Sequence, residues 1–272
     1  MKLSKSFLKL IKPKKKSKSH KEYDSYLSAI QFCTNNAYQN IELCNMIADK
    51  TAIYKETLVT KPYNLNPTAV FLLAAINQYL LSNSKQELTV LDFGGACGAH
   101  YFEMKRFLTK DITLKWYVVE TEQMVKSAID KGLQNNELKF FSCIEDIHEK
   151  IDFVHSSSAL QYVPDPFQFT NMLINLNADY VYFNRMMFNK SDRTFVTIQN
   201  SLLSANGPGK MPEHYTDKTI SYPHTTVSFP KFNAMFSDNN YTTEWIFDEP
   251  SGSYKIKNEE IIGKGLLYTK KR

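Results

Sequence analysis

From Leu88 onward the chain alternates short apolar runs with longer stretches whose apolar residues return every three or four positions. LTVLDF (88–93), TLKWYVVE (113–120), ELKFFSC (137–143), IDFVHSS (151–157) and DYVYFNRM (179–186) are dense in apolar and aromatic residues, and each predicts a strand. Between them AHYFEMKRFL (99–108), EQMVKSAIDKGL (122–133) and PFQFTNMLINL (166–176) predict helices, and EDIHEK (145–150) a short turn or helix. This alternation predicts right-handed crossovers and a mostly parallel α/β sheet. The strands are apolar at consecutive positions, so helices are expected on both faces of that sheet.

Upstream, residues 22–56 carry apolar positions at helical spacing, interrupted by Pro62 and the stretch 64–67. Asn66-Pro67 has the form of a cap followed by proline in a first turn, and opens a helix through AVFLLAAINQYLL. Downstream the pattern loosens. Residues 186–225 are rich in polar, aromatic, Gly and Pro residues (NGPGKMPEHY, SYPHTT) and are expected to form a long irregular segment over a binding pocket. A helix (FPKFNAMFSDN) and two closing strands (YTTEWIFDE, IIGKGLLYTKK) come after it. The expected organisation is a tail over 1–21, an N-terminal helical region over 22–84, and a cofactor-binding domain over 85–272 with its insertion at 186–225.

The 272 residues are 43% hydrophobic and 22% charged, as in an ordinary globular chain. Charge changes the picture more. The net value is +5, yet residues 1–21 hold nine lysines and no acid; 33 basic residues less 9 leave 24 against 28 acids, so the rest is −4. A protein tracking nucleic-acid phosphates is expected to keep a basic body, so nucleic acid is an unlikely partner. Leu3, Phe7, Leu8, Leu10 and Ile11 lie among the tail lysines. Residues 1–20 are therefore expected either to lie on an anionic membrane surface or to be a disordered, solubilising terminus. The four cysteines (Cys33, Cys44, Cys97, Cys143) form no CxxC pair. They suggest neither a zinc site nor a disulfide framework, and a reducing, cytoplasmic setting is expected.

The chemistry concentrates in VLDFGGACGAHYFEMK (90–105). A triphosphate loop needs Lys-Ser/Thr after its last glycine, and Gly98 is followed by Ala99-His100. A dinucleotide loop spaces its glycines G-x-G-x-x-G, and Gly94, Gly95 and Gly98 break that register. An acid two residues before the first glycine suits a cofactor with an ammonium group and no phosphate. Asp92 would take that ammonium, directly or through water; Phe93, Gly94 and Gly95 would pass beneath the ligand. Gly98 would let the next helix pack on the strand. His100, in that helix's first turn, would touch the cofactor carboxylate or merely cap the helix. Glu120 ends the next strand, where a carboxylate can take both ribose hydroxyls. Ile144, Glu145 and Asp146 would meet the adenine, and Ser156 and Ser157 stand at the mouth of the fourth strand. S-adenosylmethionine fits this order. An acid after the second strand also fits NAD, so a nicotinamide oxidoreductase stays as an alternative, as does a non-catalytic scaffold of the same fold.

These stretches, with KWYVVETEQMV, DFVHSSSALQYVPDP, VYFNRMMF, TIQN and SYP, resemble class I S-adenosylmethionine-dependent methyltransferases. More narrowly they are similar to a bacterial family often encoded with surface-polysaccharide genes. The resemblance runs from about Leu88 to the C-terminus. It implies a Rossmann-like, mostly parallel seven-stranded sheet with an antiparallel last strand supplied by the C-terminal hairpin, with the N-terminal helices added. Ala96 stands where many such enzymes have glycine, and is expected to keep a negative φ.

Methyl transfer to a hydroxyl needs a base. The amino-nucleobase signature N/D-P-P-Y/F and the Pro-Cys nucleophile of cytosine C5 transfer are both missing, so a sugar or other small hydroxyl acceptor is expected. His214 and His224, in the covering segment, are the candidate bases. His155, inside a strand, reads as structural. Arg185 is expected either to bind an acidic group of the acceptor or to make a structural ion pair; Tyr162 and Tyr222 are candidates to stack on a sugar ring.

Overall fold

The computed structural model describes residues 21–33, 37–60, 62 and 66–271. Residues 1–20, expected either on an anionic membrane surface or as a disordered terminus, lie outside the described residues. In chain order the elements are α1 (Tyr26–Ile30), α2 (Ile41–Thr60), α3 (Pro67–Asn83), β1 (Glu87–Phe93), α4 (Ala99–Phe107), β2 (Thr113–Val119), α5 (Glu122–Asp130), β3 (Leu138–Phe141), β4 (Phe153–Ser157), α6 (Pro166–Asn175), β5 (Tyr180–Asn189), β6 (Phe195–Leu202), β7 (Thr219–Ser228), α7 (Phe229–Asp238), β8 (Tyr241–Ile256) and β9 (Glu259–Lys270).

Side-chain caps set several helix starts. The Asn66 carboxamide accepts the Ala69 amide at 2.9 Å ahead of Pro67, and the Asp165 carboxylate accepts those of Phe167 and Gln168 ahead of Pro166. The strands β3-β2-β1-β4-β5 are parallel; β9 runs antiparallel to β5, and β8 pairs with β9 beyond it. These seven strands form the Rossmann-like α/β sheet with a reversed last strand. Alternate strand residues enter two cores. Val90, Trp116, Val118 and Phe153 face Leu43, Met46, Leu72 and Ile76 of α2 and α3. Leu91, Val119, Val154 and Phe183 face Leu173, Phe232 and Phe236 of α6 and α7. The N-terminal helices thus share a core with the sheet. No helix among the described residues is long and apolar enough to cross a membrane.

The region 186–225 departs from expectation. β5 continues to Asn189, and the ends of the remaining segment pair as an antiparallel hairpin, β6 with β7, Phe195 with Thr226 through Leu202 with Thr219, around the irregular stretch 203–218. The hairpin joins β5 only at Phe188 and Asn189, where β9 already holds the other edge. It therefore stands beyond the end of β4 and overhangs the strand tips. Pro223 is tolerated because β7 has a free edge there. The turn is fixed from below: Lys50 of α2, 1% exposed, donates to the carbonyls of Ser204 at 2.8 Å and Asn206 at 2.5 Å.

Candidate functional site

At the tip of β1 the backbone turns through Gly94 (φ 70°), Ala96 (φ 50°) and Gly98 (φ 81°). A Cβ on Gly94 would lie 2.1 Å from the Ala159 Cβ, one on Gly95 2.5 Å from Asp92 Oδ2, and one on Gly98 2.9 Å from Leu138. Gly98 thus sets the start of α4 against Leu138 and Phe140 of β3 rather than against its own strand. Ala96 does not conform: its φ is positive, a conformation costing a non-glycine residue about 1–2 kcal/mol. Glu120 holds it there. Its Oε1 accepts the Ala96 amide at 3.1 Å and its Oε2 accepts the Thr121 amide at 2.9 Å. Burial outweighs these two bonds and pushes the Glu120 carboxyl up to about 6.

Asp92 does not offer the direct contact expected of it. Its side chain is fully buried and shared by three donors: His155 Nδ1 at 2.8 Å, His100 Nδ1 at 3.2 Å and Trp116 Nε1 at 3.1 Å. Burial raises its pKa, but the two imidazoles prevail and hold it well below the usual carboxylate range. No oxygen faces outward for a direct bond to a ligand ammonium; what Asp92 does is orient His100, 17% exposed at its side chain. Despite burial, Asp92 raises the His100 pKa, whereas for His155 burial wins and lowers it. Asp92, His100 and His155 are a metal-type donor set with ligand atoms within 4.8 Å. The 2.8 Å His155 contact has the length of a charge-assisted hydrogen bond, and the 3.2 Å His100 contact is longer.

Asp92, His155 and Tyr182 stand side by side across β1, β4 and β5, with the last two rings stacked at 5.7 Å. One step toward the tips, Ser157 faces Asn184. The Asn184 amide lies beside His155 and Tyr182. Even so, His155 Nε2, the Tyr182 hydroxyl, both Asn184 amide atoms and the Ser156 and Ser157 hydroxyls make no hydrogen bond of ordinary geometry. Buried polar atoms left so cost about 1–3 kcal/mol each, which suits a place where a polar ligand or water supplies partners.

Above this column a cavity of about 970 Å³ opens between the strand tips, the 3₁₀ turn Leu160–Tyr162, the hairpin and β8. Gln161, Tyr162, Arg185, Gln199, His224 and Glu249 line it. Tyr162 donates to Gln199 Oε1 at 3.1 Å, and its ring meets that of His224 edge-on at 5.4 Å. His224 is 5% exposed, and burial lowers its pKa to about 4, so the imidazole is neutral at pH 7.

The structure separates the two candidate bases. His214 is 66% exposed beside Asp49 of α2, 3.4 Å from its Oδ2, and lines no part of this cavity. The hairpin loop carries it away from the strand tips. Tyr222 is also corrected: it is buried, donates to Ser201 at 2.8 Å and packs against Tyr38 and Tyr162 rather than offering a free face. Phe93 is buried against Phe169 on the far face of the sheet. Glu145 and Asp146 are exposed on a 3₁₀ turn after β3, next to the buried Ile144. Several residues escaped the sequence. Trp116 holds Asp92, and Tyr38, whose carbonyl accepts the Thr121 hydroxyl at 2.9 Å, sets its ring against Tyr162 at 5.7 Å. Gln161 and Glu249 had one legible signal, their place just past or at the end of predicted strands; Gln199, inside the segment expected to be irregular, had none.

No family model and no curated protein matches the chain. Solved structures do. A S-adenosylmethionine-dependent methyltransferase from Clostridium acetobutylicum is 13% identical, over 82% of this chain and 99% of that one, with a TM-score of 0.47. An amino pentose methyltransferase of calicheamicin biosynthesis from Micromonospora echinaspora, solved with S-adenosylmethionine, is 10% identical over 80% and 96%, at 0.49. Magnesium protoporphyrin IX methyltransferase from Synechocystis, also solved with S-adenosylmethionine, is 14% identical over 86% and 99%, at 0.41. At these identities and TM-scores the likeness assigns no activity to this chain, whose own residues have to carry any functional assignment.

Proposed function

We propose that the protein is an S-adenosylmethionine-dependent methyltransferase that acts on a hydroxyl of a sugar or other small acceptor, in bacterial surface-glycan assembly. The observation that carries this reading is the Gly94–Gly98 turn closed by Glu120 at the strand tips; a polar cavity begins at Ser158, next to the Ala159 that abuts Gly94. The residues fit the cofactor. Each Glu120 oxygen takes one amide and keeps a lone pair for a ribose hydroxyl. Gly94 and Gly95 let the turn close on Ala159 and Asp92, Ile144 gives an apolar wall with Glu145 and Asp146 at its rim, and the Ser156 and Ser157 hydroxyls await partners. His100, its pKa raised and its ring held by Asp92, suits a carboxylate.

When bound, the cofactor supplies a methyl already activated on a sulfonium. The chain's own work is then alignment, exclusion of water and disposal of one proton. His224 accepts that proton from the acceptor hydroxyl. Tyr162 and the amides of Gln161 and Gln199 form a wall suited to a hydroxylated ring. The glycan setting is supported by the sequence resemblance and by this lining.

Calorimetry tests the cofactor. Wild type is expected to bind S-adenosylmethionine or its demethylated product, S-adenosylhomocysteine, and not NAD; the reverse result sinks the reading. Binding uses the ionised form of Glu120, whose carboxyl sits at about 6. Affinity is therefore expected to be level above that pH and to fall below it by up to about tenfold per pH unit. Glu120→Gln should bind more weakly and lose this dependence. His224→Gln is expected to slow turnover about 100-fold, the low end for a general base because burial has weakened its basicity. Cofactor affinity should not change; unchanged turnover removes His224 from the chemistry.

A further inference from the structure

β5 carries a defect at its most exposed point. Phe183 pairs with Leu266 and Met186 with Lys264, so Asn184 and Arg185 together oppose the single residue Gly265. This is a β-bulge. Arg185 takes φ 56° within it, a region that disfavours every side chain larger than glycine's. Such outliers persist only where their surroundings impose them.

What imposes this one is Glu249. The Arg185 amide donates to Glu249 Oε1 at 2.6 Å, and Glu249 is only 6% exposed. Glu249 belongs to β8, and β9 lies between β8 and β5. Two glycines on β9 let it cross. A Cβ at Gly263 would lie 3.1 Å from the Glu249 Cβ and 2.7 Å from Ser251 Oγ; one at Gly265 would lie 2.0 Å from the Phe247 ring. β8 itself slips register between Asp248 and Ser253 to deliver the carboxylate. Two irregular strands and two bare positions thus converge on a single outcome: an exposed Arg185 lining the cavity.

The guanidinium is also uncommitted. Arg193 pairs with Glu22 and Glu259, Lys85 with Asp152, and Lys218 with Glu42. Arg185 makes no ion pair among the described residues, so the structural alternative left open by the sequence does not hold. Lys21 brings a second positive charge to the same wall, its ammonium 4.8 and 4.6 Å from the Tyr23 and Phe32 ring centres. The acid on that wall, Glu249, already has one oxygen taken by an amide.

We propose that this cavity takes an acceptor bearing an anionic group, a carboxylate or a phosphate, on the Arg185 guanidinium, with Glu249 as the positioning residue that holds the bulge. A planar fork of donors matches either anion in bidentate fashion; Lys21 adds charge without geometry. The inference rests on the methyltransferase reading only in calling this ligand the acceptor.

The test titrates the full chain, with and without S-adenosylhomocysteine, with glucuronate, glucose 1-phosphate and glucose at fixed salt. One or both anions should bind at least about tenfold tighter than glucose, and the tighter one names the source of the charge. Arg185→Gln should erase the preference. Glu249→Gln keeps an acceptor for the Arg185 amide and should retain it, while Glu249→Ala should lose it. If Glu249→Ala does not fold, Arg185→Gln still decides. Arg185→Gly should melt higher than wild type, as the backbone is released from strain, yet bind like Arg185→Gln. Equal binding of glucose, no binding of either anion, or a preference surviving in Arg185→Gln overturns the proposal. So does loss of S-adenosylhomocysteine binding in Arg185→Gln, which would put the guanidinium on the cofactor. A wild type that discriminates anions but never binds S-adenosylhomocysteine would instead sink the methyltransferase reading alone.

Discussion

Asp92→Ala is expected to lower stability by about 3–5 kcal/mol, because it strands buried donors on His155, His100 and Trp116 at once. The deficit should depend on pH in a defined sense. The Asp92 pKa is depressed in the folded chain, so its contribution is present above the unfolded value, about 3.9, and is lost as pH falls through the folded one. The His100 pKa is raised, so its share is complete below about 6.5 and is lost as pH rises through its folded value. Urea unfolding should therefore show the largest gap between wild type and variant at about pH 4–6.5. A gap below 1 kcal/mol there (roughly one ordinary hydrogen bond) would mean that the three donors find other partners. Cofactor affinity should fall with it, since His100 loses its tether.

Gly94→Ala is expected to cost about 2–5 kcal/mol and to eliminate measurable cofactor binding. Two penalties add: a left-handed backbone, about 1–2 kcal/mol, and overpacking, about 1–3 kcal/mol. The new Cβ would meet Ala159 Cβ at 2.1 Å, and neither group has a rotamer that could relieve the clash. Thermal melts with calorimetry check both effects. Ala159→Gly in the same chain should recover part of the packing loss and none of the backbone cost; a double variant as unstable as Gly94→Ala would show that crowding is not the cause.

The strands and helices of the sheet were legible because their signals are local. Asn66-Pro67 and Asp165-Pro166 announce helix starts within four residues, and β1 through β5 bury apolar side chains on both faces. The hairpin was not. TISYPHTTVS buries threonine, serine and histidine among its few apolar residues, so a strand read as a loop, although Ile198, Tyr222 and the threonines favour extended backbone. The glycine turn and Glu120 were readable from order along the chain; what Asp92 does was not. Its three partners come from α4, β2 and β4, and which way a strand-end carboxylate faces depends on register across the sheet. The sign of the Ala96 φ was misjudged because the bond that stabilises it comes from Glu120 on the next strand. Arg185 could be picked out by its position, but its bulge depends on a carboxylate two strands away.

Lys50 has a consequence for how this scaffold can change. A cation sunk among carbonyls of the hairpin turn rivets the roof of the acceptor cavity to a helix far upstream in the chain. Swapping that hairpin alone into another member of the fold would leave a desolvated charge with nothing to hold. New acceptor preferences should therefore arise by exchange of the helix and the hairpin together, as one inherited module.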